Sequence, residues 1–94
     1  MKKFNFYSDA GHGWLAVDTS DLEAIGLTVQ EFSPYSYRQG DTLYLEEDCD
    51  ASFFVKQYES RIGKFECEEF DHGNYSPIRH MDRLPAETAD YSWF

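Results

Sequence analysis

The chain has 94 residues, with 18 acids against 8 bases and a net charge of −10 when its three histidines are neutral. That is the size of one small domain with a single core, and 17 Phe, Tyr and Trp residues supply large apolar surfaces for it. The charge argues against direct binding to nucleic-acid phosphates or to anionic membrane surfaces; it favours solubility and a basic partner.

No apolar run approaches the roughly 18–20 residues that a transmembrane helix needs. Lys2 and Lys3 resemble the basic start of a signal peptide, but Ser-Asp-Ala-Gly-His-Gly stands where an apolar region should follow. The expected compartment is therefore the cytoplasm. Cys49 and Cys67 are too few for a disulfide framework and form no CxxC pair, so reduced thiols are expected and structural zinc is not.

In chain order, Phe4–Tyr7 alternates like a strand, the segment 9–13 (DAGHG) is a turn, and Trp14–Val17 reads as a second strand paired with the first. Ser20-Asp21-Leu22-Glu23 matches a capping box, which predicts a short helix near 21–25 stopped by Gly26. Thr28–Glu31 is a second match, one helical turn ahead of Pro34. Tyr35–Arg38 and Thr42–Glu46 flank Gln39-Gly40-Asp41, the strongest hairpin signal in the chain. Leu43 and Leu45 should face one side, with Thr42, Tyr44 and Glu46 on the other.

From Ala51 the period becomes helical. Ala51, Phe54, Val55, Tyr58 and Ile62 form one stripe and Gly63 supplies the stop, so the main helix is expected over 51–62. Lys64–Phe70 alternates again, with Phe65 and Cys67 on one side and Glu66, Glu68 and Phe70 on the other. Ser76–Pro85 shows no clean pattern. The tail, 83–94, ends in Tyr91, Trp93 and Phe94 and either docks on the domain or awaits a partner. The expected fold is α+β: a mostly antiparallel sheet of about five strands in one domain over 1–82, the main helix on one face and the strand order left open.

Four acids, Glu46, Glu47, Asp48 and Asp50, precede the main helix. The structural explanation makes Asp50 the N-cap and lets Asp48 and Glu47 complement the helix dipole, worth about 0.3–1 kcal/mol each if exposed. It leaves Glu46 unexplained. A divalent-metal site could draw on Asp41, Glu46, Asp48 and Asp50, but the spacing fits no EF-hand loop. An interaction surface is the third reading. Same-face strand residues such as Glu66 and Glu68 lie about 6.6–6.8 Å apart, near the phosphate stride of one nucleic-acid strand, and Glu69 extends the row. His12, between two glycines, is either a general base or ligand or simply the exposed tip of a turn. Cys67 reads as a small core residue; Cys49 is poised at a helix start but surrounded by acids. Tyr35, Tyr37 and Arg38 belong to the types enriched in binding hot spots, although the tyrosines can equally cover the sheet.

The strings FYSDAGHGWLAV, SPYSYRQGDTLYLEEDCDASFF and SPIRHM resemble a family of small, acidic, largely uncharacterised proteins carried by bacterial phages, plasmids and integrated elements. The likeness runs from about Phe6 to Arg79. It implies an accessory protein that binds a host or element protein, and gives no individual residue a role.

The expected function is non-enzymatic binding, by charge complementarity, to a basic surface of another protein, such as a nucleic-acid-binding or host-defence protein. Glu46, Glu47, Asp48, Asp50, Glu66, Glu68 and Glu69 would make the electrostatic contact, and Tyr35, Tyr37 and Arg38 would anchor it. No catalytic residue, cofactor or metal is assigned. The alternative is a small metal-dependent enzyme or metal-binding module using His12 with the Asp41, Glu46 and Asp48 carboxylates. A homodimer built on the aromatic tail is compatible with either.

Overall fold

The computed structural model describes residues 1–84. Six strands form one sheet in the order β5-β1-β2-β4-β3-β6. β1 (Lys3–Ser8) and β2 (Gly13–Asp18) make the first hairpin, and β3 (Tyr37–Gln39) and β4 (Thr42–Glu46) the second. β2 pairs antiparallel with β4, so the two hairpins share one sheet. β5 (Glu66–Asp71) lies parallel to β1 at one edge, and the two-residue β6 (Asp82–Arg83) closes the other. The α+β architecture expected from the sequence is the one observed, with one more strand.

The faces of the sheet follow from alternation. Phe4, Leu15, Val17, Leu43 and Leu45 are buried under the main helix, α2 (Ser52–Arg61), which contributes Phe54 and Tyr58. Phe4 meets Phe54, Tyr58 and Phe65 edge-on at ring-centroid distances of 5.5, 5.3 and 5.1 Å. Such pairs add about 0.5–1.5 kcal/mol each beyond area burial. The opposite face carries a second, smaller cluster of Trp14, Tyr37 and Ile78.

Several local expectations shift. The first helix, α1 (Thr19–Ala24), starts earlier than expected: Asp21, not Glu23, reaches back, accepting the Asp18 amide at 2.8 Å while Lys2 holds its other oxygen at 3.0 Å. The Thr28–Glu31 box forms as expected, the Glu31 carboxylate accepting the Thr28 amide at 2.9 Å. β3 begins two residues late because residues 33–36 close a turn through a Ser36 amide to Ser33 carbonyl bond of 3.2 Å. Gly40, at φ 61°, opens the two-residue turn between β3 and β4, where an L-residue would be strained.

Asp50 is not the N-cap of the main helix. One wide helical turn, Glu47–Ala51, precedes α2, and Glu46 caps it by accepting the Asp48 amide at 3.1 Å. Asp50 turns inward and accepts from the Ser33 amide (2.9 Å), Ser33 Oγ (2.7 Å) and Ser36 Oγ (2.5 Å). Ile62 is exposed rather than part of the core stripe, because the helix ends at Arg61, whose guanidinium reaches the Ile25 carbonyl. Cys67 faces the helix side as expected but is exposed, since α2 does not extend over the edge strand.

The domain boundary expected at 82 falls inside β6, and Leu84 is buried in the main core. Tyr91, Trp93 and Phe94 lie outside the described residues. No helix among the described residues is long and apolar enough to cross a membrane.

Candidate functional site

On the sheet face opposite α2, a cleft of about 420 Å³ opens between the β1–β2 loop, the start of the helical turn and the segment 76–84. Its geometry begins with Asp9. The carboxylate accepts from the Gly11 and His12 amides (both 3.0 Å), as an Asx turn does, which shapes the loop that carries His12. It also accepts the Ser76 amide at 2.8 Å and a bidentate pair from Arg79, Nε to Oδ2 at 2.6 Å and Nη2 to Oδ1 at 2.8 Å. Arg79, followed by these amides, holds the Asp9 carboxyl well below the usual carboxylate range.

The clamp brings the 3₁₀ turn Pro77–His80 across the sheet. Ser76 caps that turn, accepting the Ile78 amide at 3.1 Å, with Pro77 at the first helical position. Arg79 then lies over the rings of Trp14 and Tyr75, each 5.3 Å from its centroid. Trp14 is 1% exposed, and its indole N–H has no partner among the described residues. A buried donor left unpaired costs about 1–3 kcal/mol. Tyr37 packs edge-on to Trp14 at 6.2 Å, and Arg83 lies 5.0 Å above the Tyr37 ring while donating to the Pro34 carbonyl at 2.9 Å.

The acidic wall comes from β4 and the turn after it. Glu46 pairs with Trp14 across the sheet and is almost buried; its Oε2 stands 3.7 Å from His12 Nδ1. Ser36 Oγ accepts the Glu46 amide at 2.9 Å and donates to Asp50, so Asp50 supports the wall from behind. Asp48 and Cys49 complete the rim, with exposed Tyr35 opposite.

Of the residues singled out from the sequence, the fold brings Tyr35, Tyr37, Glu46, Asp48 and His12 into this cleft. The others go elsewhere. Asp50 is buried and offers no free surface for a partner contact; the same holds for Tyr37, although it borders the cleft. Glu47 stands on the helix side, where its carboxylate borders Gly13. Arg38 faces the α1 side of the sheet, its Nε donating to the Gly40 carbonyl at 2.9 Å. Glu66, Glu68 and Glu69 lie on β5, every residue of which is exposed.

Asp41 sits in the hairpin turn, at the opposite end of β4 from Glu46, so the carboxylates of the metal alternative do not converge. Among the described residues, no group of three or more His, Cys, Asp and Glu side chains is placed to hold a metal ion.

Sequence reasoning missed Asp9, Trp14, Arg79 and Arg83. The usable signals were Asp9 two residues before a glycine, which marks an Asx turn, and Ser76-Pro77, which marks a capped helical turn. Comparison of the chain with protein-family models, with curated proteins and with solved structures finds no match.

Proposed function

We propose that this protein is a non-enzymatic accessory protein of a mobile element, acting in the cytoplasm by binding a basic surface of another protein. Partners that normally hold nucleic acid, host-defence proteins among them, fit that chemistry. The carrying observation is β5: it is an edge strand, exposed along all six residues, and it bears Glu66, Glu68, Glu69 and Asp71. Among the described residues one of the four is ion-paired, Glu68 with Lys3 at 2.8 Å.

Alternation sends Glu66 and Glu68 to one face and Glu69 and Asp71 to the other, so a cationic strand laid along the edge would be held from both sides. Acidic edge residues also deter self-pairing. The two roles agree, because the charges that repel a second copy attract a basic partner. Charge steering would speed that encounter and make it sensitive to salt.

The test is capture from a bacterial lysate, comparing wild type with Glu66→Lys/Glu69→Lys at low and high salt, read by mass spectrometry. Wild type should retain a basic protein at low salt that is lost at high salt and lost with the charge swap. Identical recoveries by both baits would refute the reading.

A further inference from the structure

A hydrophobic groove of about 370 Å³ lies on the helix side of the sheet, between α2 and the β1–β2 hairpin. Phe6, Leu15, Ala51, Val55 and Phe65 line it, with Glu47 and Lys56 as the charged residues beside it. Phe6, Val55 and Phe65 are only half-buried, so the core is left partly uncovered at this point. The groove exists because α2 does not extend over the edge strand, and Cys67 of β5 borders it on that side. None of the acids of β5 lines it, and what fills it is independent of the role proposed for that edge.

The chain beyond Leu84 is well placed to fill this groove. Leu84 is buried in the core under α2, so the chain leaves the described residues on the helix side of the sheet. Its amide donates to the Ser36 carbonyl at 2.9 Å, and Ser36 Oγ donates to Asp50. The departure point is therefore beside the helical turn Glu47–Ala51, whose last residue is part of the groove wall. Trp93 is nine residues further on, a span of up to about 30–32 Å when extended. Positions 91–94 read Tyr-Ser-Trp-Phe, and each of those rings can bury about 150–250 Å². Laid extended, Tyr91 and Trp93 share a face. Asp90 can meet Lys56, which has no ion pair among the described residues. A tethered segment also competes at an effective concentration on the order of millimolar, well above that of a second copy in dilute solution.

We propose that this groove is the seat of the chain's own aromatic tail, with the Trp93 ring inserted between α2 and the sheet and Tyr91 beside it. Docked there, the tail covers Phe6, Val55 and Phe65, completes the core and closes the groove to other apolar occupants.

The two native cysteines report where the tail sits, because Cys67 borders the groove and Cys49 borders the cleft on the other face of the sheet. Ser92→Cys keeps all three rings and sets a third thiol next to Trp93. Mild oxidation of this full chain in dilute solution, then proteolysis and mass spectrometry, identifies the disulfide formed. A bond to Cys67 should predominate, even though partial burial pushes that thiol up and slows its reaction. Acrylamide quenching of the native chain gives a second reading. Trp14 is 1% exposed, so of the two tryptophans the accessible emission would belong to Trp93. That emission should be quenched several-fold less than free N-acetyltryptophanamide. A bond mainly to Cys49, bonds only between chains, or no bond at all overturns the proposal. So does a Trp93 component quenched as readily as the free indole.

Discussion

Asp9 gathers five donors, three of them backbone amides, onto one carboxylate whose side chain is shielded from solvent. The Arg79 guanidinium and those amides favour the charged form, so the folded protein binds the Asp9 proton more weakly than the unfolded chain does. The sign follows: the stability contributed by Asp9 is complete well above its ordinary value of 3.8 and is lost progressively as pH falls from about 5 through that value and below. Asp9→Asn should lower stability at neutral pH and flatten the acid limb of the stability curve. Urea unfolding of both proteins across the acid range checks this, and parallel acid limbs would mean that other carboxylates govern acid unfolding. Cys67 shows the opposite influence, since partial burial of the sulfur, followed by the Glu69 carboxylate, pushes its thiol up and slows alkylation at neutral pH.

At the scale of elements, the two glycines around His12 differ in purpose. Neither has a positive φ. Gly13 is buried, and a Cβ there would lie 2.8 Å from Phe6 Cε2 and closer still to Cζ. Gly13→Ala should therefore cost about 1–3 kcal/mol through overpacking between β1 and β2. Gly11→Ala should cost less, because its Cβ stays 3.0 Å from the nearest atom, Arg79 Nη2, and presses on the exposed side of the Asp9 clamp rather than on the core. Thermal melts of the pair decide it, and equal shifts would place the constraint in the turn instead.

These glycines also show what could be read from the chain alone. Period-two and helical patterns made the hairpins and α2 legible, because burial on one face writes itself into alternation. The role of Asp50 was hidden, because a capping carboxylate and an inward-facing one look alike in sequence. The cleft was hidden for a different reason. It depends on Asp9 and Arg79, 70 positions apart, whose meeting is set by strand order.

For the whole molecule, an excess of ten negative charges on 94 residues opposes compaction. Ion pairs such as Lys3–Glu68 and Lys2–Asp21 offset part of this and are themselves weakened by salt. With so few cations, repulsion should dominate. Raising sodium chloride from low to physiological strength is expected to increase Tm by a few degrees, and Glu66→Lys/Glu69→Lys should reduce that increase. A Tm that falls with salt would show that the ion pairs outweigh the repulsion.

The Asp9–Arg79 clamp has a consequence for the order in which the molecule comes into being. Chains emerge from the ribosome N-terminus first, at about 5–20 residues per second, so roughly 3–14 s separate the synthesis of Trp14 from that of Arg83. During that interval both hairpins can form, while the Trp14 and Tyr37 rings lack the turn that covers them and the cleft has only its acidic wall. A nascent chain stalled before Ser76 would display this aromatic face bare, a target for chaperones.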